Sequence, residues 1–146
     1  MVDIENTNIG AHALLVTNEG KVILQQRDSS PGIVNPGLIS LFGGTIKSGE
    51  TVEEGLKREL LDELELTLDD YHVENMGVYT KTKELDGVDW VVNVFVINEV
   101  RLEDLRLNEG KGIVCNYPYE ILKSEKLTRI TQLVLQDYAR MLKKNS

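Results

Sequence analysis

The chain has 146 residues, of which 41% are apolar and 27% charged, and its formal net charge is −8 at neutral pH. This length fits a single domain, 1–146, with a hydrophobic core, and the composition is that of a globular protein. The acidic balance argues against a surface that coats a nucleic-acid polymer, because such a surface needs a basic stripe. A small phosphorylated substrate stays compatible, since bound cations can reverse the local charge.

Cysteine and histidine are scarce, with Cys115, His12 and His72 as the whole set. No disulfide can form within the chain, and no Cys/His cluster predicts a zinc site. The first ten residues, MVDIENTNIG, lack the basic and apolar regions of a signal peptide. No run approaches the roughly 20 apolar residues of a membrane span. We therefore expect a cytoplasmic protein without a membrane partner.

The first half of the chain predicts a hairpin, a loop, a short strand and a helix. AHALLVT and KVILQQR flank NEG, which predicts a β-hairpin with Gly20 in the turn. The segment 28–37 contains two Pro-Gly pairs and is therefore predicted as a loop. LISLF is predicted as an apolar strand that ends at Gly43 and Gly44. A helix follows, from about Thr51 to Glu65.

The second half predicts three more strands and a closing helix. HVENMGVYTKTK and DWVVNVFVI are strands joined by the turn ELDGV, and IVCNY is a short strand. The segment KLTRITQLVLQDYARML is a helix with a stripe predicted to pack in the core: Ile130, Leu133, Val134, Tyr138, Met141 and Leu142. No repeat or linker divides the chain. The irregular alternation of strands and helices favours a mixed sheet with helices packed on it.

The helix in GETVEEGLKRELLDELEL places acids beside its apolar stripe. At about 100° per residue, Glu59, Asp62 and Glu63 share an arc that overlaps the edge of the leucine face. Burying ionised carboxylates without a partner is costly, and a divalent cation such as Mg²⁺, which prefers oxygen ligands, would compensate. Gly55 lies one turn before Glu59 on the same arc and would leave room for a metal or ligand.

The alternative is a solvated acidic edge, with Glu54, Lys57 and Arg58 as exposed partners. The preceding segment FGGTIKSGE favours the metal site, because its glycine-rich turn delivers Glu50 just before the helix. Arg58 lies eight residues later and can reach back to pair with Glu50. Such a pair would fasten the loop to the helix and fix where the carboxylates point.

These residues resemble the Nudix hydrolases. The family signature is a Gly, five residues, Glu, seven residues, Arg-Glu, an aliphatic residue, one residue, Glu-Glu, one residue, Gly and an aliphatic residue. The matching positions are Gly44, Glu50, Arg58, Glu59, Leu60, Glu63 and Leu66. There are three departures: Asp62 replaces the first acid of the Glu-Glu pair, Glu65 replaces the second glycine, and Lys47 stands where many members carry glutamate.

The resemblance extends over roughly residues 8–143. LLVTNEGKVILQQRD resembles the opening hairpin of the family, and NPGLISLFGG resembles its approach to the signature, with Ile39 in place of tryptophan and Phe42 in place of proline. LNEGKGIVCNYPYEI resembles the later segment in which an acid precedes a strand. The resemblance implies an α/β (α+β) fold, the αβα sandwich of the family, with a mixed sheet between helices.

The resemblance also implies a chemistry. Family members hydrolyse a nucleoside diphosphate linked to another moiety, such as a nucleoside triphosphate, a nucleotide sugar or ADP-ribose, with Mg²⁺ as cofactor and Mn²⁺ able to replace it. It implies that Glu59 and Glu63 are the principal metal ligands and catalytic acids, and that Asp62 binds metal directly or through water. Gly44 offers its backbone to the metal, and Arg58 with Glu50 orients the helix. Gly43 and Gly55 are structural members of the signature, and a homodimer is common in the family.

Several side chains outside the signature are candidates for the same site. Glu109 is the leading candidate for a further metal ligand or general base, against a plain surface acid; the rival acids are Glu99, Glu103 and Glu84. Arg27 is expected to contact a substrate phosphate, against a solvated strand end. Trp90 and Tyr79 are expected to pack in the sheet rather than stack on a base, and Cys115 is expected to be a small buried residue.

Two other functional classes fit the same pattern less well. A non-catalytic module that senses a nucleotide predicts the loss of a signature acid, and Glu59 and Glu63 are retained. An isomerase of the same fold acting on an isoprenoid diphosphate asks for a catalytic cysteine in a deep pocket. Cys115 lies late in the chain and outside any matching motif.

Overall fold

The computed structural model describes residues 7–27, 37–81, 89–107 and 111–144. Within these ranges the chain forms seven strands: β1 Thr7–Val16, β2 Val22–Arg27, β3 Ile39–Ser40, β4 Phe42–Thr45, β5 Val73–Lys81, β6 Asp89–Ile97 and β7 Lys111–Asn116. The described helices are α1 Val52–Leu64, α2 Pro118–Ile121 and α3 Arg129–Lys144, with short 3-10 helices at Leu68–Asp70 and Leu102–Asp104. No helix in these ranges is both long and apolar enough to span a membrane.

Strand β1 is the centre of one mixed sheet. β6 pairs with it in parallel along nearly its whole length, and β5 pairs with β6 in antiparallel fashion. On the other edge, the end of β1 pairs with β2 through Leu15 and Ile23, as the predicted hairpin requires. Gly20 in the turn has a φ of 87°, a conformation that glycine adopts at little cost. β7 pairs with the outer edge of β2. The predicted mixed sheet is therefore confirmed.

The segment 39–45 fills a fork between β1 and β2 and reverses direction at Leu41. β3 is antiparallel to β2, with Gln25 opposite Ser40, whereas β4 is antiparallel to β1, with His12 opposite Gly43. Because β1 and β2 run in opposite directions, β3 and β4 must do so as well. The segment predicted as one strand is therefore two strands, which diverge from the turn at Leu41.

The glycine pair lies inside β4, so the expectation that a strand ends there is wrong. Gly43 pairs with His12 and Gly44 with Ala11. A side chain at Gly43 has no space, because a Cβ built there would lie 2.3 Å from the Ala11 carbonyl oxygen. These glycines serve close packing within the sheet, not a turn.

Two side chains satisfy the backbone of Leu41 at the turn. Gln25 Nε2 donates to Leu41 O at 3.0 Å, and Leu41 N donates to Thr131 Oγ1 of α3 at 3.2 Å. Gln25 is only 3% exposed and Thr131 is also buried. A buried backbone group left without a partner costs about 1–3 kcal/mol, so the two side chains stabilise the fork.

Helices α1 and α3 cover opposite faces of the sheet. The α1 face packs the three helix leucines 56, 60 and 64, all fully buried as predicted, against alternate residues of the strands, including Ala11, Leu15, Ile23, Phe42 and Phe95. The α3 face packs Val134, Leu135 and Tyr138 against the intervening residues, including Leu14, Leu24, Leu41 and Val94. This alternation is that of a sheet buried on both faces. The αβα sandwich expected from the sequence is confirmed.

The buried stripe of α3 differs from the predicted one. Thr131, Val134, Leu135 and Tyr138 are buried, at the spacing of one helix face. Met141 and Leu142 were predicted to pack in the core, but residues 140–144 are exposed on every side. The helical period is right, but the last turns lie beyond the core.

Candidate metal and catalytic site

Local sequence fixes the start and rotation of α1. Thr51 is the N-cap: its Oγ1 accepts from Glu54 N at 3.1 Å, and Glu54 Oε1 accepts from Thr51 N at 3.1 Å. This reciprocal capping box satisfies two helix-terminal donors, and acids in the first turn interact favourably with the helix dipole. Because the leucines lock the adjacent face into the core, the rotation of α1 leaves Glu59 and Glu63 at the edge beside β4.

The glycine pair of β4 lies against both carboxylates. A Cβ built at Gly44 would lie 2.7 Å from Cδ and from Oε1 of Glu59, so only glycine fits beside that carboxylate. Gly43 N donates to Glu63 Oε1 at 3.1 Å, and Glu63 is only 6% exposed. The structure therefore brings Glu59 and Glu63 together against the strand, one helical turn apart.

An ion pair fastens the loop before α1 to the helix. Arg58 Nε donates to Glu50 Oε2 at 2.7 Å and Arg58 Nη2 donates to Glu50 Oε1 at 3.0 Å, a two-bond fork. Arg58 Nη1 donates to Glu59 Oε1 at 2.9 Å. The Arg58 guanidinium, helped by the Lys47 N–H at 2.7 Å, lowers the pKa of Glu50 to about 2. The pair anticipated from the spacing is thus present, and it also holds Glu59.

The sequence of this chain is similar to those of known proteins. The family model described as the NUDIX domain matches residues 7–136. The chain belongs to the NUDIX family. It is 29% identical over 116 residues, 77% of this chain, to an uncharacterised Nudix hydrolase of Nostoc sp.. Over 59 residues, 40% of this chain, it is 39% identical to the oxidized purine nucleoside triphosphate hydrolase of Danio rerio. The matches span 65% and 36% of the lengths of these relatives.

A solved MutT protein from Methanosarcina mazei has the same fold. It superposes with a TM-score of 0.79 at 23% identity, covering 94% of this chain and 96% of that one. At this identity the likeness concerns the fold alone. It agrees with the NUDIX fold read from the sequence.

Asp62, the first departure from the NUDIX signature, lies at the rim of the site. Its side chain is 65% exposed, and its Oδ2 lies 4.0 Å from Arg58 Nη1. Among the described residues, no group of three His, Cys, Asp or Glu side chains is arranged to hold a metal ion. Asp62 is therefore more exposed than Glu59 and Glu63, which lie against the glycine pair of β4.

Glu65, the second departure, adopts the backbone conformation that a glycine would. It is the C-cap of α1, with a φ of 53°, and its N–H donates to carbonyls of the last turn. A non-glycine residue in this left-handed region costs roughly 1–2 kcal/mol. The turn after the NUDIX helix is therefore retained at a cost in stability.

Gly55 does not open the site. A Cβ built at Gly55 would lie 2.5 Å from Cγ2 of Ile46, so the space that this glycine frees is filled by the Ile46 side chain. The expectation that it leaves room for a metal or ligand is wrong, because the helix approaches the end of β4 too closely. The role of Gly55 is close packing of the NUDIX helix on the strand.

The two described candidate acids outside the signature, Glu99 and Glu103, are not brought to the pair. Glu109 and Glu84 lie outside the described residues. Glu99 follows β6, where the neighbouring Val100 N donates to Val16 O. Val16 lies five residues beyond the β1 residue that pairs with Gly44, a distance of about 17 Å along the strand. Glu103 is exposed and bound to Arg101 at 2.7 Å.

Three other predicted side chains are structural. Tyr79 OH donates to Asp137 Oδ2 at 2.7 Å and packs on the α3 face; burial, then Asp137, raises its pKa well above the usual range. Trp90 packs against the same cluster, as expected for a residue that packs in the sheet. Cys115 is half-buried beside the α1-face core, and burial raises the pKa of its thiol.

Sequence reasoning missed three buried polar atoms. His12 Nδ1, Gln25 Oε1 and Arg27 Nε have no hydrogen-bond partner in the described part of the structure. Burial lowers the pKa of His12 to about 4, so the ring is neutral at physiological pH. Arg27 was predicted as a substrate contact from its place at a strand end; Gln25 and His12 carried no signal, because a polar residue in an alternating strand reads as solvent-facing.

The donor set of the site fits a hard divalent cation. Glu59 and Glu63 supply carboxylate oxygens, the ligands that Mg²⁺ prefers. The close approach of Gly44 leaves backbone rather than a side chain facing Glu59. Neighbouring carboxylates repel each other unless a cation lies between or beside them. Of the surrounding groups, Arg58 already pairs with Glu59 from one side.

Proposed function

We propose that this NUDIX protein is a Mg²⁺-dependent pyrophosphohydrolase, which cleaves the diphosphate bridge of a nucleoside diphosphate linked to another moiety. The observation that carries the proposal is the edge of α1 where Glu59 and Glu63 meet the glycine pair of β4. The nucleotide class is supported by the name of the Danio rerio relative, an oxidized purine nucleoside triphosphate hydrolase.

In this proposal each residue has a defined task. Glu59 and Glu63 hold the cation, with the Gly44 backbone as a further ligand and Asp62 acting through a water. When bound, Mg²⁺ neutralises charge on the diphosphate bridge and lowers the pKa of the attacking water, and Mn²⁺ can replace it. Arg58 keeps Glu59 in place because Glu50 fixes the guanidinium.

Two residues complete the proposed site. Arg27 donates to the phosphate chain from the end of β2, since a guanidinium has five N–H donors. Glu109, outside the described residues, is proposed as the general base or a further metal ligand. Its test is Glu109→Gln, which should lower kcat without changing the melting temperature.

The decisive experiment is a substrate screen with Glu63→Gln. Nucleoside triphosphates, nucleotide sugars, ADP-ribose and dinucleoside polyphosphates are incubated with Mg²⁺, and products are identified by chromatography. Glu63→Gln should lower turnover by about a thousandfold, because it removes a ligand charge from the cation. Glu53→Gln, an exposed residue of the same helix, is the matched control and should retain wild-type turnover. Near-wild-type activity of Glu63→Gln would overturn the assignment.

The alternative, a nucleotide-sensing module, predicts ligand binding without product release from any compound of the screen. Cytoplasmic location, a homodimer, and the absence of nucleic-acid and membrane partners stay predictions. Light scattering coupled to size-exclusion chromatography tests the dimer.

A further inference from the structure

Strands β3 and β4 fill the fork between β1 and β2 and diverge from Leu41 as the two walls of a gap. β4 carries Gly43 and Gly44 on one wall, where Glu59 and Glu63 lie. The other wall is β3, which pairs with β2 on the side of β2 that faces the fork. Since the two short strands diverge from Leu41, the turn closes the gap at its inner end.

Gln25 and Arg27 lie on β2, the strand to which the wall opposite the carboxylates is paired. Ile23 belongs to the α1-face core, and side chains two residues apart on a strand share a face. Gln25 and Arg27 therefore face the same side of the sheet as α1. Gln25 lies nearer the closed end, because its Nε2 donates to Leu41 O, and Arg27 lies at the end of the strand.

Within the described ranges, each of these side chains carries a buried polar atom without a hydrogen-bond partner. Because Leu41 O can only accept, the amide of Gln25 is oriented with Nε2 toward it, and Oε1 is left as a fixed acceptor. Arg27 Nε–H is a buried donor that likewise has no partner among the described residues. Buried polar groups in native proteins are nearly always hydrogen-bonded, so an orphan acceptor and an orphan donor on one face indicate a missing bonding partner.

The two unpartnered atoms on β2 lie within about the length of a nucleoside of the proposed metal site. Leu41, which anchors the Gln25 amide, is two residues before Gly43, which donates to Glu63. Two residues of strand span about 7 Å. A nucleotide whose diphosphate lies at the carboxylates can therefore extend its base toward Gln25.

We propose that Gln25 Oε1 accepts a hydrogen bond from an N–H of the substrate's nucleobase, while Arg27 Nε donates to the neighbouring acceptor on the same base edge. The common nucleobases all present donors and acceptors on their edges, whereas a free polyphosphate presents no N–H. The terminal nitrogens of Arg27 stay available to phosphate oxygens. This inference rests on the proposed function and adds recognition of the base to it.

The test removes the N–H donor of the base by methylation and then the acceptor of Gln25 by mutation. ATP and UTP are compared with N6,N6-dimethyl-ATP and N3-methyl-UTP, which lack every N–H of the base, and GTP is compared with N1-methyl-GTP and N2,N2-dimethyl-GTP, which block its two donor nitrogens in turn. For the preferred base, methylation should lower kcat/KM of the wild type by about tenfold or more, because a buried acceptor is left unpaired. Gln25→Met, of similar shape but without the acceptor, should cleave the two compounds equally well.

Thr131→Val is the matched control. It removes the other side-chain partner of the same residue, Leu41, without touching the acceptor of Gln25. It should therefore retain the methylation penalty, whereas a purely structural role of Gln25 at the turn predicts the same behaviour from both variants. The wild-type comparison needs no variant and decides the question even if Gln25→Met does not fold.

Three results separate the inference from the function on which it rests. Cleavage without a methylation penalty in the wild type, or a penalty unchanged in Gln25→Met, overturns the inference and leaves the function intact. Dissociation constants measured by calorimetry with Ca²⁺ in place of Mg²⁺ provide a second readout. A methylation penalty in binding without any cleavage supports base recognition and overturns the hydrolase. Neither binding nor cleavage of any nucleotide overturns both.

Discussion

Replacing Gly44 with alanine tests whether the close approach of β4 to Glu59 matters for function. The added Cβ would lie 2.7 Å from Cδ and Oε1 of Glu59. Ordinary contact begins near 3.4 Å, so the carboxylate must withdraw by about 0.7 Å. Since Arg58 Nη1 holds the same oxygen at 2.9 Å, this movement also disturbs the ion pair with Arg58.

The displacement predicts a large functional effect and a small structural one. Misplacing a catalytic group by about 1 Å costs about a hundredfold in rate, and disturbing the groups that orient a metal ligand costs about 10- to 100-fold in affinity. Gly44 does not have a positive φ, and the crowded atoms end a flexible side chain. The free energy of unfolding should therefore change by less than about 1 kcal/mol, or about 3 °C in melting temperature for a chain of this size.

The assay combines three measurements on Gly44→Ala. Mn²⁺ affinity is measured by electron paramagnetic resonance, turnover with the substrate identified in the screen, and melting by circular dichroism. Gly112→Ala is the control, because a Cβ there meets only Gln26 Cβ at an ordinary 3.8 Å. Wild-type Mn²⁺ affinity and turnover in Gly44→Ala would refute the reasoning, and so would a loss of folding that accounts for the lost activity.

Three further outcomes are expected. Glu65→Gly should raise the free energy of unfolding by about 1 kcal/mol, because glycine adopts the left-handed conformation of the C-cap at little cost. Glu65→Ala keeps a Cβ and should not raise it; denaturant titration compares the two variants. Asp62→Asn should lower turnover less than about tenfold, far less than Glu63→Gln, since Asp62 is mostly exposed; equal losses would place Asp62 in the metal site. Burial lowers the pKa of His12 to about 4 in the folded protein, against the ordinary 6.5. Between these pH values the unfolded chain binds a proton that the folded protein does not, so the free energy of unfolding should fall as the pH drops from about 6.5 to 4. That fall amounts to at most about 3 kcal/mol and should be absent in His12→Gln. Urea unfolding of both proteins across this pH range measures it, and an equal decline in the wild type and the variant would contradict the prediction.

Much of the site follows from local sequence, because helical spacing is a local property. The leucines of α1 determine which face packs on the sheet, and the positions of Glu59 and Glu63 relative to them are then fixed. The eight-residue spacing of Glu50 and Arg58 likewise permits an ion pair that both side chains are long enough to form. For the same reason the NUDIX signature was recognisable, apart from its departures.

Other features depend on strands that are far apart in sequence. Whether Gly43 and Gly44 end a strand or lie within one depends on Ala11 and His12, more than 30 residues away, which no local pattern reveals. The role of Gly55 depends in the same way on Ile46 and on how closely the helix approaches the strand.

The sequence by itself determined the helix that carries the acids, because helical periodicity encodes it directly, and it determined the family and the layers of the fold through its resemblance to the NUDIX signature. Only the tertiary structure decided that the chain turns back at Leu41 and that Gln25 and Arg27 carry buried polar atoms without a hydrogen-bond partner in the described ranges. The physical reason is that strand pairing joins distant segments, so the burial and bonding of a polar side chain are set by neighbours that its own segment does not specify.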